Sequence, residues 1–452
     1  MRLRKGVGSA LVISLIFIGL LAGYIGLNKD EMSNRVNSYG TGDPQTKQAS
    51  NHTQPVKIKL GIWESKTDIE FWTEKVKDYS IIKPNVTVEV ETIPDNSGQY
   101  LKVRLAANDL PDLFYLKPGH LSIYKASLLS LDELNATSRN KYPAELDGKI
   151  IGLPLVSFSE YVYYHPSIFR EVGVEVPQTF NEFINVLEKI KSHGKYIPIA
   201  IGGKEEWTFY PFIEFGPPII TEDENYLANL TNIEKPFGEG SAFEKAANLL
   251  KRIAENKLAG PDALGIGFDQ AKQLFQSNQA AMIALGQWYY SDHMSKVDSD
   301  EDLGAFALPW RATTKERLQA VTMPDQYMAI NKNSENTVET IAFLEWMFSP
   351  DVYQAYINNS QNSSTLTDVN SVMPFFNKVN NSHPFHPFMY QGLDEKFAKV
   401  KNAAQYDEKK MAQEIFAGAT IADMLKKMNE NWSKAVQYVD NNNIHFPLYF
   451  DR

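Results

Sequence analysis

The chain contains no cysteine. Disulfides, thiolate metal sites, cysteine nucleophiles and cysteine-linked lipids are therefore all excluded. Basic patches are missing too: the formal net charge is −10, with no cluster of lysines and arginines suited to phosphate. Nucleic acid is not an expected partner, and the acidity reads as a solubility feature. No nucleophile elbow, P-loop or dinucleotide fingerprint occurs. DSDEDLG (298–304) has carboxylates at calcium-loop spacing, but Leu303 stands where the turn needs glycine and Pro309 where it needs a bidentate glutamate. His383 and His386 stand among prolines that keep them off one helical face, with no third ligand near. No metal, cofactor or enzymatic activity is expected.

A single long uncharged run is present, from Val7 to Leu27, preceded by Arg2, Arg4 and Lys5 and followed by Lys29 and Asp30. It is long enough for one helical membrane crossing, and the basic residues before it hold the N-terminus in the cytoplasm. Residues 1–27 are thus expected to form a cytoplasmic stub and a transmembrane signal anchor. Cleaved secretion is the alternative, although LLAGYIGLNKD offers no clean small-x-small site. Residues 28–55 are polar and too poor in apolar side chains to fold, so they read as a flexible spacer.

From Val56 the pattern is that of a globular protein. Val56, Ile58, Leu60 and Ile62 alternate with lysines or glycine, as on a half-buried strand, and VTVEVETI (86–93) repeats the alternation. With helical segments around 68–79 and 100–108 and the strand DLFYL, the order is β-α-β-α-β, which implies a parallel sheet. Ligands of such sheets bind beyond the carboxyl ends of the strands. Those ends carry Trp63-Glu64-Ser65 and Tyr115-Leu116-Lys117. Thr179-Phe180-Asn181-Glu182 and Ser241-Ala242-Phe243-Glu244 are capping boxes that open helices. The interval 371–388 reads as irregular and proline-rich.

Five segments in order resemble the family 1 extracellular solute-binding proteins of ABC importers, the maltose-binding-protein-like carbohydrate receptors. They are LAANDLPDLFYL (105–116), LDGKIIGLPL (146–155), VYYHPSIFREVGVEVPQTFNEF (162–183), LFQSNQAAMIALGQW (274–288) and AFLEWMFSPDVYQAY (342–356). Asn108 departs from the usual glycine of the first motif. The missing lipid-accepting cysteine is a second departure, and leaves the transmembrane helix as the tether on the extracellular face.

The resemblance implies a two-lobed, type II periplasmic-binding-protein-like α/β fold, each lobe a mainly parallel sheet flanked by helices, with the ligand cleft between lobes. Residues 56–158 plus about 308–355 would form lobe 1, and 159–307 plus about 356–452 lobe 2. DGKIIGLPLVSFSEYVYY (147–164) would hold the first crossing between them. The implied ligand is a carbohydrate, an oligosaccharide or modified sugar, delivered by a monomeric receptor to ABC permease subunits. A membrane-tethered sensing subunit of a signalling system is the alternative. Sugars present apolar C–H faces and hydroxyl rims, so aromatic platforms flanked by polar groups should bind them. The candidates are Trp288, Trp207 and Glu205 in the second lobe, and Trp63, Glu64, Ser65, Lys117 and His120 in the first. Phe158, Glu160, Asp325 and Tyr327 are the candidates at the crossings.

Overall fold

The computed structural model describes residues 54–94, 98–390 and 394–441. The expected membrane anchor and nearly all of the spacer lie outside them. Among the described residues no helix is long and apolar enough to cross a membrane.

Strands β1 (Val56–Trp63) and β2 (Val86–Ile93) pair in parallel from Val56↔Val86 to Trp63↔Ile93. The helix Lys66–Ile82 joins them, as a parallel pair requires, and Ser65 caps it by accepting from the Asp68 N–H at 3.4 Å. Strand β3 (Leu113–Leu116) lies parallel to β1, with all four residues buried. A short strand β4 (Ala144–Leu146) turns into β5 (Lys149–Tyr164). The second sheet is built on β5 by β6 (Met282–Gly286) and β7 (Gly304–Phe306), both antiparallel to it, with parallel bridges from β6 and its approach to Ile197 and Ala200. Strand β8 (Gln319–Ile330) then returns to the first sheet, antiparallel to both β3 and β5.

The lobe crossing differs from the expected strand, crossing and second strand. It is one continuous strand of 16 residues. Up to Ser159, β5 pairs with β8; from Glu160 it pairs with β6. A change of partner is enough, because Ser157–Glu160 contains no residue that breaks extended structure. The Ser159 hydroxyl meets that of Thr322 at 2.8 Å where the partners change.

Each sheet carries its own core. Ile58, Leu60, Trp72, Tyr115, Leu153, Met328 and Phe343 cluster on the first, and Phe183, Leu187, Phe212, Phe243, Leu250 and Trp432 on the second. Tyr356, Ile357, Leu366 and Val369 also pack in the first core, and β9 (Ser363–Ser364) pairs with Val156 and Ser157 of β5. The chain therefore stays with the first sheet beyond residue 356, where the sequence placed the division. It joins the other body at Phe375 and Phe376, which pack with Tyr161 and Ile283. The interval 371–388 is also more regular than expected: Pro374 opens the helix Pro374–Ser382, and β10 (His386–Met389) pairs in parallel with β8. Pro374 suits a first helical turn, where its missing N–H goes unused.

Candidate ligand-binding cleft

A cleft of about 2600 Å³ separates the two cores. Pockets for drug-sized ligands reach about 1,000 Å³, so this one has room for an extended ligand.

The first wall comes from the ends of β1 and β3. Trp63 meets Tyr115 edge-on, with ring centroids 5.4 Å apart. Lys117 Nζ lies 4.1 Å from the centre of the Trp63 ring and 2.6 Å from Asp325 Oδ2. One face of Trp63 is thus covered by a cation that is itself anchored. Glu64 is exposed at the rim, while the Ser65 hydroxyl is occupied by its cap. His120 lies against Gly98, whose backbone is left-handed (φ +79°) and where a Cβ would come within 2.8 Å of the imidazole. Burial, then the charges of Lys102, Lys409, Lys117 and Lys401, push the His120 pKa down to about 3, although part of the residue reaches the cleft. His120 is accordingly neutral, an uncharged donor and acceptor beside lysines from both walls.

The opposite wall is aromatic. Trp207 stands on the turn Glu206–Phe209, Phe268 opens the helix Phe268–Gln276, and Trp288 follows β6. Trp207 lies 4.6 Å from Phe268 and 6.5 Å from Trp288 between ring centroids. Gly286 permits this arrangement, since a Cβ there would collide with the Trp288 indole. Glu205 Oε2 accepts from the Phe268 N–H at 2.8 Å. The carboxylate thereby ties the Trp207 turn to a helix N-terminus, where negative charge is favoured. Lys272 lies 4.5 Å from the Phe268 ring centre and pairs with Asp269 and Asp292 at 3.0 and 2.9 Å.

Phe158 and Asp325 line the cleft where the walls meet. Asp325 is 5% exposed; its Oδ1 has no hydrogen-bond partner, whereas Oδ2 holds Lys117. Across the mouth, Lys125 reaches Glu395 of the helix Glu395–Ala404 at 2.9 Å, an ion pair between the bodies.

Trp63, Glu64, Ser65, Lys117, His120, Phe158, Glu205, Trp207, Trp288 and Asp325 all border this cleft. Glu160 and Tyr327 do not. Glu160 lines a separate cavity of about 20 Å³ with Phe215, Trp310 and Val321, within the long run of β5 that is buried on both faces. Neither of its carboxyl oxygens meets a partner in hydrogen-bonding geometry. Burial holds the Glu160 pKa well above the usual carboxylate range; the nearby Tyr210 hydroxyl offsets this only in part, and Glu214 adds to it. Tyr327 is fully buried in the first body against Leu121 and Phe114. Several cleft residues escaped the sequence reading: Asp68, Tyr210, Phe268, Gln326, Tyr390 and the C-terminal Lys401, Glu408 and Lys409. Phe268 and Lys272 share one face of a helix at i and i+4, a signal that was available.

Two α/β bodies joined by exchanged strands, with an open polar-aromatic cleft between them, define a type II periplasmic binding protein. The chain belongs to the bacterial extracellular solute-binding protein family, whose model matches residues 63–354. Among curated relatives it is 24% identical over 320 residues to the multiple sugar-binding protein of Streptococcus mutans, covering 65% of this chain and 74% of the relative. It is 26% identical over 225 residues to the melibiose/raffinose/stachyose-binding protein of Bacillus subtilis, covering 46% and 50%. Among solved structures, an ABC-transporter binding protein of Bifidobacterium animalis in complex with mannobiose superposes with a TM-score of 0.72 at 19% identity, covering 85% of this chain and 95% of that one. A sugar transporter protein of Bacillus licheniformis in complex with stachyose gives 0.68 at 18% identity, covering 84% and 100%.

Proposed function

We propose that the protein is an extracytoplasmic receptor that captures an oligosaccharide or modified sugar in this cleft and delivers it to an ABC permease. The observation that carries this reading is the pairing of two unlike walls. Trp207, Phe268 and Trp288 offer a platform for apolar sugar faces, and Lys117, Asp325 and His120 stand opposite with groups for hydroxyls. A ligand touching both walls binds the closed arrangement better than the open one, and so shifts the equilibrium toward closure. The sugar ligands named for the relatives favour the same class.

In this reading lobe 1 comprises residues 56–159, about 319–330 and on to about 370, and lobe 2 the remainder of the folded chain. The N-terminal run anchors a monomer to the outer face of the membrane, and the cleft binds without turning over its ligand. The absence of a lipid-accepting cysteine keeps a second reading in view, a tethered sensor subunit reporting occupancy to a signalling partner. A thermal-shift screen against a library of oligosaccharides tests the main proposal. A shift that saturates with one glycan class is expected; no shift with any glycan would sink it.

A further inference from the structure

Asp68, in the first turn of the helix Lys66–Ile82, borders the cleft yet is only 4% exposed. Its Oδ2 accepts from Gln326 Nε2 at 2.8 Å. Its Oδ1 lies 3.2 Å from the Tyr356 hydroxyl, whose oxygen is also 2.5 Å from Gln326 Oε1. A tyrosine has one hydroxyl hydrogen, and the shorter contact takes it. The Tyr115 hydroxyl, which accepts from Trp72 Nε1 at 2.9 Å, faces the same Tyr356 oxygen and adds nothing to Asp68. The protein thus supplies one hydrogen for two acceptors, and Asp68 Oδ1 is the one left short. Gln326 is held in left-handed backbone (φ +53°) within β8, a costly conformation for a glutamine that its two side-chain bonds pin in place. Such strain at a cleft floor points to a positioned group rather than to incidental packing.

We propose that Asp68 is a ligand contact whose carboxylate takes its missing hydrogen from a glycan hydroxyl, so that capture is coupled to release of a proton. The proposal rests on reading the cleft as a glycan site. In the free protein, below about pH 6, the shortage is met by protonating Oδ1, which then donates to the Tyr356 oxygen. When a ligand hydroxyl arrives, the proton leaves to solvent and the hydroxyl donates to the carboxylate instead. The free carboxyl is suited to this exchange, since burial raises its pKa to about 6 against the opposing bond from Gln326. The titratable groups that act on it are Asp325 in β8, Tyr115 in β3 and Tyr356 in the helix Pro350–Ser360, and the helix Tyr289–Met294, packed against its own, carries Asp292. Asp325 and Asp292 are already paired, with Lys117 at 2.6 Å and Lys272 at 2.9 Å. Asp325 adds a smaller upward push on Asp68.

The sign follows directly. A ligand that prefers ionised Asp68 binds best above about pH 6 and loses about tenfold in affinity for each pH unit below it. The test is calorimetry on the full chain with mannotriose, raffinose and stachyose as probes, in buffers of different ionisation enthalpy across this range. Whichever probe binds should do so with proton release that vanishes, together with the pH dependence, in Asp68→Asn. Tyr356→Phe, which removes the oxygen that accepts from protonated Oδ1, should move the onset of weakening to lower pH; this second variant decides the matter should Asp68→Asn fail to fold. Binding without proton release, or a pH dependence that survives in Asp68→Asn, overturns the proposal while leaving the receptor reading intact. Failure of all three probes at every pH overturns the receptor reading and this proposal with it.

Discussion

Replacing Lys117 by methionine keeps the length of the side chain and removes the cation paired with Asp325. The Asp325 side chain is 7% exposed and that of Lys117 31%. Breaking a buried ion pair from one side costs about 3–5 kcal/mol, because the remaining charge stays desolvated. The lower end applies here, since one partner is partly hydrated, so about 3 kcal/mol of stability should be lost. The cation resting on Trp63 contributes about another 0.5–1 kcal/mol. The double variant Lys117→Met/Asp325→Asn leaves no charge behind and should recover most of the loss, so the two substitutions should couple strongly rather than add. Urea unfolding of the four proteins of the cycle measures this. A Lys117→Met variant within about 0.5 kcal/mol of the parent, or strict additivity in the cycle, would refute the reasoning.

Two further outcomes are expected. Burial holds the pKa of Glu160 well above its unfolded value, so its contribution to stability is full below the unfolded pKa and is lost as pH rises through the folded one. Glu160→Gln should flatten that decline by up to about 1.4 kcal/mol per pH unit; identical pH–stability curves for the two proteins would show that Glu160 is not held neutral. The protein should stay with membranes after a high-salt wash, and a mature N-terminus mapping just beyond the apolar run would show instead that the anchor is cleaved.

Much of the fold was legible where its signals are local. Period-two alternation in β1 and β2 reports one buried face, and both capping boxes form, with Thr179 and Ser241 accepting from the N–H groups of Glu182 and Glu244 at 3.3 and 3.1 Å. In each box the glutamate reaches the N–H of the residue before the cap, Gln178 or Gly240, a detail that spacing does not reveal. Strand-end residues such as Trp63, Lys117 and Trp288 could be nominated because open α/β sheets bind ligands there. The rest depended on contacts distant in sequence. Lys117 meets Asp325 across 208 positions, and Asp68 meets Gln326 across 258. Glu160 and Tyr327 lie next to the crossings in sequence, yet strands on either side cover them, and adjacency says nothing of which face a strand shows after it changes partners. The cleft-lining C-terminal helices carry ordinary amphipathic patterns, so their exposed lysines and glutamates look the same facing a ligand as facing solvent.

Trp288 offers the most direct test that the cleft is a carbohydrate site. A sugar ring covering roughly a third of the 150–250 Å² that a buried aromatic hides would gain about 1.5 kcal/mol, or about tenfold in affinity. Calorimetric titration of a glycan identified by the screen into the parent protein and into Trp288→Ala, with thermal unfolding as the control for folding, measures it directly. A single saturable site that weakens about tenfold in a folded Trp288→Ala protein is the expected result; a glycan affinity unchanged by the substitution would contradict it.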